Sequence, residues 1–320
     1  MKRGERVVVK GVLNHCYQRT RKGVVLFYSV SDYLVHFTIF CTTARKYPIR
    51  VLSLCQMPDH IHSSVIAEDG EALAGFFRES SSLFSYQHNH TCHCSGALLE
   101  HPFGSAPKFG DKKIRTNLIY VGNNPVERHL AKRAEEYRWN YLAYAADPFA
   151  FSSKPTYRTS SFPLRQAIRE VKATATRNVQ MTYAQLQRLF RPLGLDERKQ
   201  LVDFIISEYN VIDFKSAIRF FGSYEEMLIA MHATTGSEYD INEVSTGRSD
   251  ACYAKMTAIL MKKLGLKDIH DVLALPDSAK SDLFPLLLSL TGATPEQVAA
   301  FLRVTLMSSP EKGLPILNIK

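Results

Sequence analysis

The chain has 320 residues, enough for two domains of ordinary size, each with its own core. Hydrophobic residues make up 45% and charged residues 22%, which excludes a disordered or fibrous chain; the net charge of +9 suits a polyanionic partner without naming one. Six cysteines (Cys16, Cys41, Cys55, Cys92, Cys94 and Cys252) fall at no paired spacing, so they read as reduced thiols of a cytoplasmic protein rather than a disulfide framework or a four-thiolate zinc site. The basic start is cut by Lys10 well short of a signal-peptide core, and no apolar run approaches the roughly 18 residues needed to span a bilayer.

β-Branched and aromatic side chains over residues 7–17 and 23–28 predict strands. Apolar residues at helical spacing over 33–45 predict a helix, followed by strands at 49–56 and 60–67 joined through Pro58-Asp59. Residues 72–86 read as a helix, 96–113 as a basic, Gly- and Pro-containing loop or hairpin, and 113–123 as a short helix. Such alternation suggests a compact plait for residues 1–150, with the excess positive charge leaning toward this half. The turn-formers over 147–161 mark a boundary, giving a linker over 151–180 and a helical domain over 181–320. Helix starts of the Ser/Thr-x-x-Glu/Gln type stand at Thr182, Ser223 and Thr294. Two stretches, 239–258 and 283–303, have the helix, turn, helix pattern of a DNA-binding element, a pattern that any helical bundle also shows.

Met57-Pro58-Asp59-His60-Ile61-His62 is the most informative run. In a strand, His60 and His62 project from one face with Ser64, half of a site for a divalent ion; an added oxygen ligand would favour Mg²⁺ or Mn²⁺ over structural zinc. Downstream, Tyr120 and Asn124 are four apart and share a face if one helix carries both. Pro125 and Gly122 weaken that helix, which leaves Asn123 and His129 as alternative ligands. A phenol with an ordinary pKa of about 10 needs a neighbouring cation or base to act as a nucleophile at neutral pH. Taken alone, a His-x-His strand or a tyrosine at helical spacing is most often structural.

His88, His90, Cys92, His93 and Cys94 are dense in metal-binding side chains, but no second cluster lies at finger spacing, and a polar turn explains them better. Lys108, Lys112, Lys113 and Arg115 precede the tyrosine and offer phosphate contacts or, equally, a solvated basic loop. Tyr137, Trp139, Tyr141 and Tyr144 beside Arg128, Lys132, Arg133 and Arg138 combine aromatic faces with positive charge, as single-strand binders do, although packing of Trp139 in the core is the simpler expectation.

The ordered set Met57–His62, Tyr120-Val121-Gly122-Asn123-Asn124-Pro125-Val126 and Glu136-Tyr137-Arg138-Trp139-Asn140-Tyr141 resembles the single-tyrosine HUH transposases, and among them the REP-associated tyrosine transposases. Tyr17-Gln18-Arg19-Thr20 and Leu26-Phe27 are similar to that family's first strands, so the resemblance covers about residues 7–145. It implies an α+β fold: a ferredoxin- or RRM-like antiparallel sheet with helices, here followed by an all-helical C-terminal domain. It also implies His60 and His62 as metal ligands, Asn124 as the third and Tyr120 as nucleophile; the basic and aromatic tracts add Lys108, Lys112, Lys113, Arg115 and Arg138 as expected DNA contacts. Family members cleave and rejoin single-stranded DNA near hairpins, leaving a 5′-phosphotyrosine and a free 3′-hydroxyl; the cofactor is then Mg²⁺ or Mn²⁺, and the protein a monomer or homodimer. Asp59 stands where asparagine is usual, and Ser63-Ser64 where apolar residues are usual. The alternatives are a non-catalytic DNA-binding regulator or architectural protein built on this fold, and a nicking enzyme of replication or plasmid transfer.

Overall fold

The computed structural model describes residues 7–100, 103–233 and 249–306. Its first part runs β1 (Leu13–Arg19), α1 (Val30–Ala44), β2 (Ile49–Gln56), β3 (His60–Ala67), α2 (Gly70–Thr91) and β4 (Gly104–Lys108), a β-α-β-β-α-β succession. The four strands form one antiparallel sheet in the order β2-β3-β1-β4. Alternation along each strand decides what lies on either face. Ile61 and Val65 of β3 point into the main apolar core with Phe37 and Phe40 of α1 and Phe76 and Phe77 of α2. The opposite face of β3, bearing His60, His62 and Ser64, is met by α3 (Gly110–Glu127), which contacts β2, β3 and β4.

The remaining helices are α4 (Phe162–Thr176), α5 (Tyr183–Phe190), α6 (Leu195–Tyr209), α7 (Phe214–Arg219), α8 (Tyr224–Ala233), α9 (Ala251–Leu264), α10 (Asp277–Thr291) and α11 (Pro295–Leu302). Helices α5 and α6 pack on α1, and their Leu186, Leu201 and Ile205 belong to the same core as the sheet. After α6 the chain runs along β2, where Ile212 bridges Val51 and Asp213 N–H donates to the Val51 carbonyl at 2.8 Å, so this edge of the sheet is partly covered. Helix α8 lies on α3. Helices α9 to α11 make a separate apolar cluster that takes in Val25, Tyr28 and Cys92.

The strands at 49–56 and 60–67 stand as read from the sequence, and Thr182, Ser223 and Thr294 each cap a helix by accepting from a backbone N–H three residues on. Residues 147–161 hold no helix or strand, but α4 begins inside the stretch read as linker. Residues 23–28 are not a strand of the sheet. Val25 to Tyr28 are buried, and their backbone pairs with Ala300 of α11 and with the Pro58 turn; their apolar composition reflects burial, not a ladder. Strand β4 lies within the 96–113 stretch read as loop or hairpin; its sequence Gly-Ser-Ala-Pro-Lys hides a strand because Pro107 is tolerated only at a sheet edge.

Helix α2 continues through His88 and His90, so this tract is a helix end rather than a turn. His88 is buried, and the Arg303 guanidinium occupies the place a metal would need, 3.3 Å from His88 Nε2 and 3.6 Å from Cys94 Sγ. The turn of the 239–258 pattern lies largely outside the described residues. The 283–303 pattern is helix, turn, helix, with Gly292 in the left-handed region at φ 67°. Its second helix buries Gln297, Val298, Ala299, Phe301 and Leu302. Among the described residues, no helix is long and apolar enough to cross a membrane.

Candidate active site

Helix α3 continues unbroken through Gly122 and Pro125 to Glu127, so Asn117, Tyr120 and Asn124 share one stripe, and all three are buried. The Asn124 side-chain amide donates to the Tyr120 carbonyl at 2.9 Å, reinforcing the turn that precedes Pro125. Gly122 is explained by packing: a Cβ there would come within 2.8 Å of Met231 Cε on α8. Asn123 turns the other way and donates to the Met231 carbonyl at 2.9 Å, and His129 lies exposed in the turn beyond α3. Of the candidate third ligands, only Asn124 lies on the stripe with Tyr120.

That stripe meets the histidines. The Tyr120 ring centroid is 5.4 Å from that of His62 and 5.3 Å from that of His15 on β1, and the His60 and His62 centroids are 4.9 Å apart. His15 has no counterpart in the sequence reading. Strand pairing brings it in, because β1 lies beside β3 and its residues 13, 15, 17 and 19 share the face of His60 and His62. Its Nε2 is 3.0 Å from His62 Nδ1, and its Nδ1 is 2.7 Å from Asn117 Nδ2. Asn117 Oδ1 accepts from Ser64 Oγ at 2.9 Å, and Ser64 Oγ in turn accepts from Ser53 Oγ at 2.7 Å. The serine at 64 therefore belongs to a polar chain, Ser53-Ser64-Asn117-His15-His62.

The chain has two self-consistent proton arrangements on the same heavy atoms. With Asn117 donating to His15 Nδ1, His15 donates from Nε2 and the proton of His62 sits on Nε2. With the amide turned over, every donor reverses and His62 Nε2 carries a lone pair. His62 Nε2 is buried and has no hydrogen-bond partner among the described residues. Burial, followed by repulsion that a charge on His60 or His15 would exert, holds the His62 pKa well below its ordinary value, so the ring is neutral at pH 7.

His60 is oriented differently. Its Nδ1 is 2.5 Å from Asp59 Oδ1, which assigns a proton to Nδ1, so that the neutral ring carries its lone pair on Nε2. Burial would raise the Asp59 pKa, but His60 and Arg128 outweigh it and the carboxyl ends below the ordinary range. The aspartate at 59 thus serves as an acceptor that fixes a ring.

A further acid, Asp250, comes from the start of α9. Its backbone N–H donates to the Arg128 carbonyl at 3.0 Å, and the side chain is buried with Oδ2 unpartnered among the described residues. Burial, with repulsion from Asp59, pushes its pKa up to about 6 against the pull of Arg128 and His60.

Lys112, Lys113 and Arg115 are exposed near the start of α3, with Lys108 half-buried on β4. At the rise of a helix, Lys113 is about 10 Å along the axis from Tyr120. Arg138 does not join them. Its guanidinium is 3.2 Å from the fully buried Asp203 carboxylate and lies 4.9 Å from the Phe151 ring, so its charge is spent inside the fold. The neighbouring aromatics are also interior: Trp139 stacks on Tyr33 at 4.3 Å, Tyr141 on Phe37 at 4.4 Å, and Tyr144 donates to Asp203.

Among the described residues, no three His, Cys, Asp or Glu side chains form a ready set of metal ligands. A cation here would find two imidazole nitrogens, His60 Nε2 and the unpartnered His62 Nε2, and would need oxygen donors, an amide or water, to complete its shell.

No family model matches the chain, and no curated protein matches it. Among solved structures it is similar to a REP-associated tyrosine transposase bound to a REP hairpin, at 16% identity over 51% of this chain and 95% of that one, with a TM-score of 0.41.

Proposed function

We propose that the chain cleaves and rejoins single-stranded DNA through a covalent 5′-phosphotyrosine on Tyr120, at sites flanked by hairpins. One observation carries this reading: the Tyr120 ring packs against His62, whose Nε2 is buried without a partner, so a phenol and an open ligand position meet from two separate elements. In this reading the β-α-β-β-α-β plait is ferredoxin-like. Its two layers divide the work, α1 and α2 closing the core face while α3 presents the nucleophile to the histidine face.

The Tyr120 oxygen attacks phosphorus, the bond to O3′ breaks, and the proton released from the phenol ends on the 3′-hydroxyl. The reverse reaction with a new 3′-hydroxyl rejoins the strand, and no nucleotide triphosphate is consumed because the ester bond is exchanged, not hydrolysed. A Mg²⁺ or Mn²⁺ ion at His60, His62 and Asn124 Oδ1 would withdraw charge from the phosphate. Asp59 holds the His60 ring, the His15-Asn117 pair holds that of His62, and Lys112, Lys113 and Arg115 offer contacts to the approaching backbone. Tyr120 is only 3% exposed, so the strand must displace part of its cover to reach it.

The test is incubation of the full chain with Mn²⁺ and labelled single-stranded hairpin DNAs from the flanks of its gene, read on a denaturing gel with peptide mapping. An adduct on Tyr120, absent in Tyr120→Phe and reduced at least 100-fold in His60→Ala, is the expected result. Metal-independent binding without any adduct would leave a non-catalytic DNA-binding protein as the better reading.

A further inference from the structure

Residues 25–28 form a strap between two apolar cores. Leu26 and Phe27 belong to the core of the sheet, whereas Val25 and Tyr28 belong to the cluster of α9 to α11. On one side, the Leu26 and Phe27 N–H groups both donate to the Pro58 carbonyl, at 2.7 and 3.1 Å. Two donors occupy both lone pairs of that oxygen and fix its direction. Pro58 immediately precedes Asp59, whose carboxylate holds the His60 ring, so the strap bears on the turn that carries the first histidine. On the other side, Val25 N–H donates to the Ala300 carbonyl at 3.2 Å, the Tyr28 hydroxyl to the Phe301 carbonyl at 2.9 Å, and Thr257 Oγ1 to the Tyr28 carbonyl at 3.4 Å.

Arg303 closes this joint. It ends α11, and its guanidinium meets the strap at both ends: Nη2 donates to the Val25 carbonyl at 3.2 Å and Nε to the Tyr28 hydroxyl at 3.3 Å. His88 Nε2 on α2 is 3.3 Å from Nη2. The carbonyl is neutral, and burial keeps the other two groups neutral at pH 7 by pushing the Tyr28 pKa up to about 12 and the His88 pKa down to about 3. Holding a charge among neutral groups costs stability. What the planar fork supplies is direction, because its rigidly spaced donors span Val25 and Tyr28 together. We propose that Arg303 is a positioning residue for His60, acting through the strap and the Pro58 carbonyl. Helices α9 to α11 are then part of the framework of the metal site, not a module apart from it. This rests on the metal-assisted reading above and deepens it by naming what holds the first ligand in place.

The experiment uses the full chain without DNA. Amide hydrogen exchange of the wild-type chain is followed with and without Mn²⁺. Coupling between two sites is reciprocal, so binding at His60 is expected to slow exchange at Leu26 and Phe27, neither of them a ligand, by more than at the buried amides of α6. Calorimetric titration then gives the Mn²⁺ affinity of Arg303→Met, which keeps an unbranched side chain and removes the fork; Kd is expected to rise about 10-fold. Tyr28→Phe, which removes one hydroxyl from the joint, shows a smaller rise. Thermal unfolding checks that the variants are folded at the temperature of titration, and the exchange measurement needs no variant. Mn²⁺ binding that leaves Leu26 and Phe27 unchanged, or a folded Arg303→Met chain that binds Mn²⁺ as tightly as the wild type, would overturn the positioning role while leaving the metal site intact. Failure of the wild-type chain to bind Mn²⁺ would overturn the metal-assisted reading and the positioning role with it.

Discussion

At Asp32, the carboxylate of the α1 cap, both oxygens are fully engaged: the Tyr28 and Ser29 backbone N–H groups and the Ser29 hydroxyl donate to Oδ2, while Tyr183 and His270 donate to Oδ1. His270 is in turn held at Nδ1 by Asp268 at 2.6 Å. At the histidine face the rule is reversed. His62 Nε2 and Asp250 Oδ2 are buried as deeply, and neither has a partner among the described residues. Both clusters are polar and interior, but the first is closed and joins the C-terminal helices to α1, whereas the second keeps open valences at a cost in stability. Seven buried side-chain atoms lack a partner among the described residues; two of them lie by one pair of histidines, which marks that face as a candidate site, and another, His88 Nδ1, belongs to a ring 6.1 Å from that of His270.

The closed cluster should be the more expensive to break. His270→Leu would leave Asp32 buried without its counter-charge and cost about 3–5 kcal/mol of unfolding free energy. Attraction to Asp32 outweighs burial and raises the His270 pKa from 6.5 to about 10; this stability is fully present below pH 6.5 and is lost as pH rises through about 10. Asp32 is shifted the other way, below 3.8, because His270 and its hydrogen bonds outweigh burial, so its share is present above that value and is lost as pH falls below it. Urea unfolding at pH 6 and pH 9.5 should therefore differ in the wild-type chain and much less in His270→Leu. Equal sensitivity in both would sink the assignment.

At the open cluster, replacement should stabilise the chain instead of destabilising it. The folded chain holds a proton on Asp250 up to about pH 6, whereas the unfolded chain releases it near 3.8, so stability falls as pH rises through that window. Above it, the charged carboxylate costs about 2–3 kcal/mol. Asp250→Asn should raise the melting temperature at pH 7.5 in chelator and change little at pH 3.5. A variant less stable at pH 7.5 would show that the carboxylate is paired after all, and the contrast between the two clusters would lose half its basis.

How far the sequence reached follows from the same physics. The shared face of His60 and His62 was legible because a strand has period two, and that of Tyr120 and Asn124 because a helix has period near four. The doubt cast by Pro125 did not materialise: the helix runs on through it, with the Asn124 amide bonding one turn back and Met231 packing on Gly122, the latter a tertiary contact that propensity does not contain. The place of His15 and Asn117 in the histidine cluster was illegible: each is one polar residue in an otherwise ordinary element, and only the β1–β3 register and the placement of α3 bring them to His62. Asp250 is separated from His60 by most of the chain. Arg138 misled because an arginine among aromatics looks the same in sequence whether its partner is a phosphate or the buried Asp203.

The smallest expected effect sharpens the contrast most, because it asks whether the open cluster is organised or merely unfinished. If the chain from Ser53 to His15 exists to give His62 Nε2 its lone pair, the relevant property of Asn117 is its ability to accept from His15 Nδ1. Asn117→Asp keeps an acceptor and removes the competing donor, so it permits only the arrangement in which His15 Nε2 accepts from His62 Nδ1–H. Asn117→Leu removes both. Calorimetric titration with Mn²⁺ in the absence of DNA should then show affinity lowered about 10- to 100-fold in Asn117→Leu and retained or improved in Asn117→Asp. Equal losses in the two variants would mean that acceptance at position 117 does not set the lone pair of His62, because Asp keeps the shape and the acceptor of Asn while Leu keeps no acceptor.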